Sequence, residues 1–174
     1  MGARLTTALV ASATLLLACG RDAPTRAPSA SRTAERIAQA VAAGGARSGC
    51  DRPASTGPPG ALITVTARQC LSCLHVGPLL RDAERDARRT RADLRVAARQ
   101  DEAQEVCEFV RREKVRLPVV LVPDDAIPRA DSTRAGNLLY VQLKPDATVA
   151  LVRSAPTGPQ LLQQIRGSTP EPSP

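Results

Sequence analysis

The sequence predicts an α/β protein, a mixed central sheet flanked by helices. Short β-branched runs alternate with longer amphipathic stretches, strand-helix-strand units follow one another, and the last third reads as a hairpin and a closing helix. At 174 residues the chain fits one domain with tails.

The first element is an address. Met1 to Ala18 carries Arg4 and then the uncharged run LTTALVASATLLLA, too short to span a bilayer comfortably. It ends in Leu16-Leu17-Ala18-Cys19, which resembles the lipobox of bacterial lipoproteins. The resemblance implies that Cys19 becomes the acylated first residue of the mature chain. Several acyl chains, at about 0.8 kcal/mol per buried CH₂, would then hold it on the bilayer. Gly20, in place of an aspartate, resembles the signal for the outer membrane, with the domain facing the periplasm of the bacterial envelope. A secreted protein cleaved near Ala18 is the alternative.

Cleavage removes only one charge, Arg4, so the net charge falls from +7 to +6. The arginines are interleaved with acids, as in RDAERDARRTRAD, and one Phe, one Tyr and no Trp offer little for base stacking, so no nucleic-acid partner is expected. Residues 19–32 follow as the lipidated cysteine and a Pro/Ala/Ser/Arg tether.

Residues 33–58 are expected to form a short helix and a loop. TAERIAQAVAA places Ile37, Ala40 and Val41 on one face and stops at Gly44-Gly45; SGCDRPASTGPPG follows as loop. The main domain is predicted over 59–167. ALITVTA (61–67) has the composition of a buried strand and runs into Cys70-Leu71-Ser72-Cys73, where a helix is expected to start. Val76, Leu80, Ala83 and Ala87 give that helix one apolar face to about Arg89. LRVAA (94–98) is a second strand, and DEAQEVCEFVRREK (101–114) is a helix whose acidic start and basic end suit its dipole. RLPVVLVP is a third strand with Pro118 at its beginning. NLLYVQL and TVALVRS flank Lys144-Pro145-Asp146-Ala147 as a hairpin, and GPQLLQQIRG opens on Pro159 and closes at Gly167. Residues 168–174 read as a disordered tail.

The chemistry concentrates in CLSC. A c-type haem anchor needs histidine next to the second cysteine, and Leu74 separates Cys73 from His75. A structural zinc site wants four ligands, but Cys50 and Cys107 are isolated and His75 lies about 200° around a helix from Cys73. A copper(I) site on the two cysteines and a plain disulfide remain open. The redox reading rests on position: at a strand-to-helix junction the first sulfur meets unpaired amides, which lower a thiol pKa from about 8.5 to roughly 3.5 to 7.5. Arg68 adds positive potential, and the second cysteine resolves a mixed disulfide.

Strand, CLSC, helix with Pro78 five residues after Cys73, strand, helix, Leu117-Pro118, hairpin and helix together resemble the thioredoxin-like fold. The resemblance implies Cys70 as attacking and Cys73 as resolving cysteine. It also implies a cis-proline at Pro118 beside the disulfide, with Leu117 and Pro118 binding extended substrate. Gln69 and Thr64 depart from the family, which places an aromatic residue and a buried acid there.

Cys107 shares a helix face with Ala103, Val106 and Val110, so a buried, inert thiol is expected; a Cys50–Cys107 disulfide is the alternative suggested by parity outside the cytosol. His75 reads as a solvated helix residue, and Asp124 with Asp125 as a polar turn rather than a metal site. The functional expectation is thiol-disulfide exchange with the thiols or disulfides of exported proteins, without an organic cofactor. A non-catalytic binding module is the alternative.

Overall fold

The computed structural model describes residues 29–50, 57–67, 71, 74–128 and 138–167. The signal, Cys19, Cys70, Cys73 and the tail lie outside the described residues. The element order is α1 (Ala30–Ala42), β1 (Arg47–Gly49), β2 (Ala61–Thr64), α2 (Val76–Thr90), β3 (Leu94–Arg99), a 3-10 turn (Gln100–Glu102), α3 (Ala103–Arg112), β4 (Val119–Val122), β5 (Leu138–Leu143), β6 (Val149–Ala155) and α4 (Gly158–Arg166). The strands form one six-stranded mixed sheet in the order β1-β4-β3-β2-β5-β6.

The centre of the sheet is parallel. Ile63 pairs with Val96, and Val96 with Val119, so β2, β3 and β4 run in one direction. Parallel neighbours need a crossover, which α2 and α3 supply, and strands covered on both faces are mostly apolar, with Thr64, Arg95 and Arg99 the polar residues of β2 and β3. β5 pairs antiparallel with β2, and β6 with β5. Their link is a tight turn: the Lys144 amide donates to the Thr148 carbonyl at 2.8 Å, and the Asp146 carboxylate accepts from the Thr148 hydroxyl at 2.6 Å and from its amide at 3.0 Å. Those bonds hold the Asp146 carboxyl below its ordinary pKa, the hydroxyl contributing most.

Strand periodicity divides the core in two. Ile63, Val96 and Val119 face α2, α3 and α4, where they pack with Val76, Leu80, Val106, Phe109 and Leu161. Leu62, Ala97, Val120 and Val141 face α1 and meet Ala34, Ile37 and Ala38. The α1 helix begins earlier than its apolar pattern predicts, because Ser29 caps it by accepting from the Arg32 amide at 3.4 Å. Its buried stripe is Thr33, Ala34, Ile37 and Ala38, so Ala40 and Val41 lie at the margin.

Two further expectations change. The segment read as loop contains β1, a three-residue edge strand on β4 whose Arg-Ser-Gly composition carries no strand signal. Directly after it Cys50 turns the chain at φ 59° and bonds to Cys107 on α3, with the Cα atoms 5.2 Å apart. Cys107 is therefore not an inert thiol; it sits half-buried at the rim of the face formed by Val106, Phe109 and Val110.

The disulfide spans a sequence separation of 57 residues, a long loop by chain-entropy arguments. Cys107→Ser paired with Cys50→Ser is expected to lower unfolding free energy by about 2 to 4 kcal/mol. Chemical denaturation of the variant beside the oxidised protein checks this, and equal midpoints would refute it.

Candidate functional site

The site is built where β2 delivers its carboxyl end. After Thr64 the chain stays against β3: the Val65 amide donates to the Ala97 carbonyl at 2.9 Å, and Val65 and Thr66 are buried. The Ala67 amide then meets a side chain, donating to Glu102 Oε2 at 2.6 Å. Glu102 ends the 3-10 turn that leaves β3 and occupies the N-cap position of α3 without a side-chain capping bond, so two parallel strands bring it to the chain that follows β2.

Glu102 is 4% exposed. Its Oε1 accepts no hydrogen bond, and Arg99 Nε stands 3.6 Å away. Arg99 is itself buried and committed elsewhere: it donates twice to Asp101, at 2.8 Å each, once to the Ile127 carbonyl at 2.7 Å, and to the Asp124 carbonyl. The bond to Asp101 is the largest cause that raises the Arg99 pKa above its ordinary value. The Asp124 carboxylate accepts from the Asp101 amide at 3.0 Å, so Asp124 serves a polar turn as expected. Sequence periodicity hid this cluster, because Arg99 and Glu102 read as surface residues at the junction of a strand and a helix.

On the other flank of β2 lies the start of β5. The Thr64 hydroxyl accepts from the Leu139 amide at 3.2 Å, which explains a short polar side chain at this buried position. The chain beside the carboxyl end of β2 on that side therefore enters at Leu138.

Beyond Cys70 the described chain resumes as a turn, not a helix. The Leu71 carbonyl accepts from the Val76 amide at 3.0 Å, and α2 begins at Val76 behind His75, whose φ of 52° is incompatible with a right-handed helix. The expected helix start near Cys70 is thus moved past Cys73, and the first free amides of α2 with it. His75 is exposed and its side chain makes no capping bond. Pro78 falls in the first turn of α2, where a missing amide costs little.

Leu117 and Pro118 are not brought to this place. Pro118 immediately precedes Val119, the partner of Val96, and its carbonyl accepts from the Val96 amide at 2.9 Å. That is the amino end of β4, two strands away from β2, against Glu84, Ala87, Arg88 and Arg91 near the end of α2. None of the described peptide bonds is cis, so Leu117-Pro118 is trans, the isomer favoured by about 0.5 to 1 kcal/mol when no packing selects the other. Leu117 is buried and lines a cleft of about 240 Å³ with Cys50, Cys107, Val110 and Val115.

No protein-family model matches the chain, and no curated protein matches it closely enough in sequence to count as a relative. The described fold is that of a mixed α/β protein with four helices and a six-stranded sheet.

Two glycines hold the turn in place unequally. A Cβ on Gly158 would lie 2.6 Å from the His75 carbonyl oxygen and 2.9 Å from Leu79 Cβ, and the Gly158 amide already donates to the Leu74 carbonyl at 2.7 Å. The three atoms nearest a Cβ on Gly77 all belong to the Glu113 side chain, which can swing away from its ion pair with Arg81. Gly158→Ala is expected to cost about 1 to 3 kcal/mol and Gly77→Ala less than about 1 kcal/mol. Thermal unfolding of both variants checks the order, and a Gly77→Ala cost as large as that of Gly158→Ala would contradict it.

Proposed function

We propose that this chain is an exported bacterial lipoprotein whose thioredoxin-like domain exchanges disulfides with other exported proteins. Cys70 attacks and Cys73 resolves. The observation that carries the reading is that β2, which ends at Thr64, six residues before Cys70 in sequence, is a central strand of a mixed α/β sheet and pairs in parallel with β3. Crevices outside such strand ends are where open α/β sheets bind their ligands. The element order, two strand-helix units into a third strand, then hairpin and helix, agrees with the resemblance on which the reading rests.

Substrate contact shifts within this proposal. Pro118 lies at the amino end of β4, so the extended partner chain is better received between Leu71 and the entry into β5 at Leu138. The anchor is Cys19, which ties the domain to the outer membrane on its periplasmic side, with the partners being exported proteins that carry thiols or disulfides. Among the described residues no helix is long and apolar enough to cross a membrane, and an acylated cysteine would need none.

A second reading, a binding module in which CLSC is a structural disulfide, is favoured by one observation: α2 begins three residues after Cys73, which weakens activation of Cys70 by a helix N-terminus.

Cys70→Ser is expected to abolish exchange with a model peptide disulfide, while the protein lacking Cys50 and Cys107 keeps it to the extent that it remains folded. Retention of full exchange by Cys70→Ser would move the protein to the binding-module reading. Cys19→Ala is expected to shift the protein from the membrane pellet to the soluble fraction after cell disruption; an unchanged distribution would remove the lipid anchor.

A further inference from the structure

One edge of the sheet is closed by an element with little of its own to hold it there. The strand β1 is three residues long and pairs antiparallel with β4, Arg47 opposite Leu121 and Gly49 opposite Val119. Arg47 and Ser48 are exposed and Gly49 has no side chain, so β1 sends no apolar side chain into the core. Its place rests on backbone pairing, on a polar contact of Ser48 and on the Cys50–Cys107 bond that follows it. Ordering three residues costs conformational entropy that a few net hydrogen bonds barely offset, so the covalent bond decides whether β1 stays.

Both ends of β1 are suited to movement. Gly44, at φ 67° with nothing within 4 Å of the Cβ it lacks, and Gly45 join β1 to α1 and form a hinge. At the other end Cys50 stands at φ 59°, a conformation that a residue with a side chain keeps only where its surroundings impose it. The bond to Cys107 is what imposes it. The helix α1 has its own anchor, the stripe of Ala34, Ile37 and Ala38 on the sheet, and stays when β1 leaves. A reagent can reach the bond, because both cysteines are half-buried and line the cleft of about 240 Å³ whose walls include Val110, Val115 and Leu117.

We propose that the Cys50–Cys107 disulfide is a redox switch on the sheet edge: a dithiol on another molecule reduces it, β1 lifts from β4, and the edge of Val119–Val122 opens. In the step one sulfur of the dithiol bonds to a sulfur of the pair as the Cys50–Cys107 bond breaks. The second sulfur of the dithiol then displaces it and closes the reductant's own disulfide. Two electrons and two protons pass to Cys50 and Cys107, which end as thiols. The opened edge presents backbone amides and carbonyls that any extended strand can pair with, and the oxidised state hides them. The switch does not rest on the exchange reading above.

The register states which groups are uncovered. The Val96 amide donates to the Pro118 carbonyl, and in a parallel ladder this turns the Val120 and Val122 amides toward β3 and the Val119 and Leu121 amides toward β1. Opening of the edge therefore has an alternating signature that global unfolding lacks. The test is amide hydrogen exchange read residue by residue by NMR, on the full chain carrying Cys70→Ser and Cys73→Ser, oxidised and after treatment with excess dithiothreitol. Alkylation and peptide mass analysis confirm that Cys50 and Cys107 are reduced. The Val119 and Leu121 amides are expected to exchange about ten- to a hundredfold faster in the dithiol form, with Val120 and Val122 within about twofold of the oxidised protein. Cys50→Ser paired with Cys107→Ser should show the same alternation without reductant, and replaces the reduced sample where the first variant does not fold. Unchanged exchange at Val119 and Leu121 would overturn the proposal, as would equal acceleration at all four amides. So would a bond that excess dithiothreitol leaves intact in the folded protein.

Discussion

The parallel pairing of β2 with β3 is the constraint from which the rest of the molecule follows. Four consecutive partners, Ala61 with Leu94 through Thr64 with Ala97, put the carboxyl ends of both strands on one side of the sheet. A parallel pair cannot close by a tight turn, so the chain between them must cross over, and α2 is that crossover. Both faces of the pair are then covered, which is why every residue of β2 and β3 is buried. Ala67 follows β2 and Glu102 follows β3, and the two meet because the strands run together.

Complete burial of β3 creates a problem that two arginines solve locally. The period of two that sends Leu94, Val96 and Ala98 to the large helical face sends Arg95 and Arg99 to the face of α1. Each is nearly inaccessible, and each is paired with the aspartate two residues away along the chain, Arg95 with Asp93 and Arg99 with Asp101. The remaining donors find backbone carbonyls, Gly57 for Arg95 and Ile127 for Arg99. Buried guanidinium groups tolerate this because their donor fork matches carboxylate and carbonyl oxygens at once. The arrangement ties the ends of β3 to the segments before β2 and after β4, and it leaves Glu102 with the weaker share of Arg99.

What the sequence disclosed and what it hid divide along a physical line. Elements held by apolar periodicity were legible: α2 through Val76, Leu80, Ala83 and Ala87, the buried run of β2, and the hairpin of β5 and β6. Features made by pairing at a distance were not. The strand β1 has no propensity and exists because β4 offers an edge and Cys107 a bond. The role of Pro118 was misjudged because a leucine-proline step before a strand says nothing about which neighbour the strand will choose, and β4 chose β3. Glu102 was missed because its partner amide lies 35 residues away in sequence.

The same topology separates β1, which leads into the Cys50–Cys107 disulfide, from β2. In the strand order β1 lies three places from β2, roughly 14 Å at about 4.8 Å per strand, with β4 and β3 filling the interval. Exchange between disulfides requires one sulfur to reach another, so strand order bears on which sulfurs can react. Cys50 is moreover held by the edge strand that precedes it on one side and by its bond to α3 on the other. The exchange proposed for Cys70 and Cys73 would be helped by a structural disulfide held out of reach. A reactive thiolate would otherwise attack a disulfide of its own chain that it could reach, at an effective concentration above that of a dilute partner.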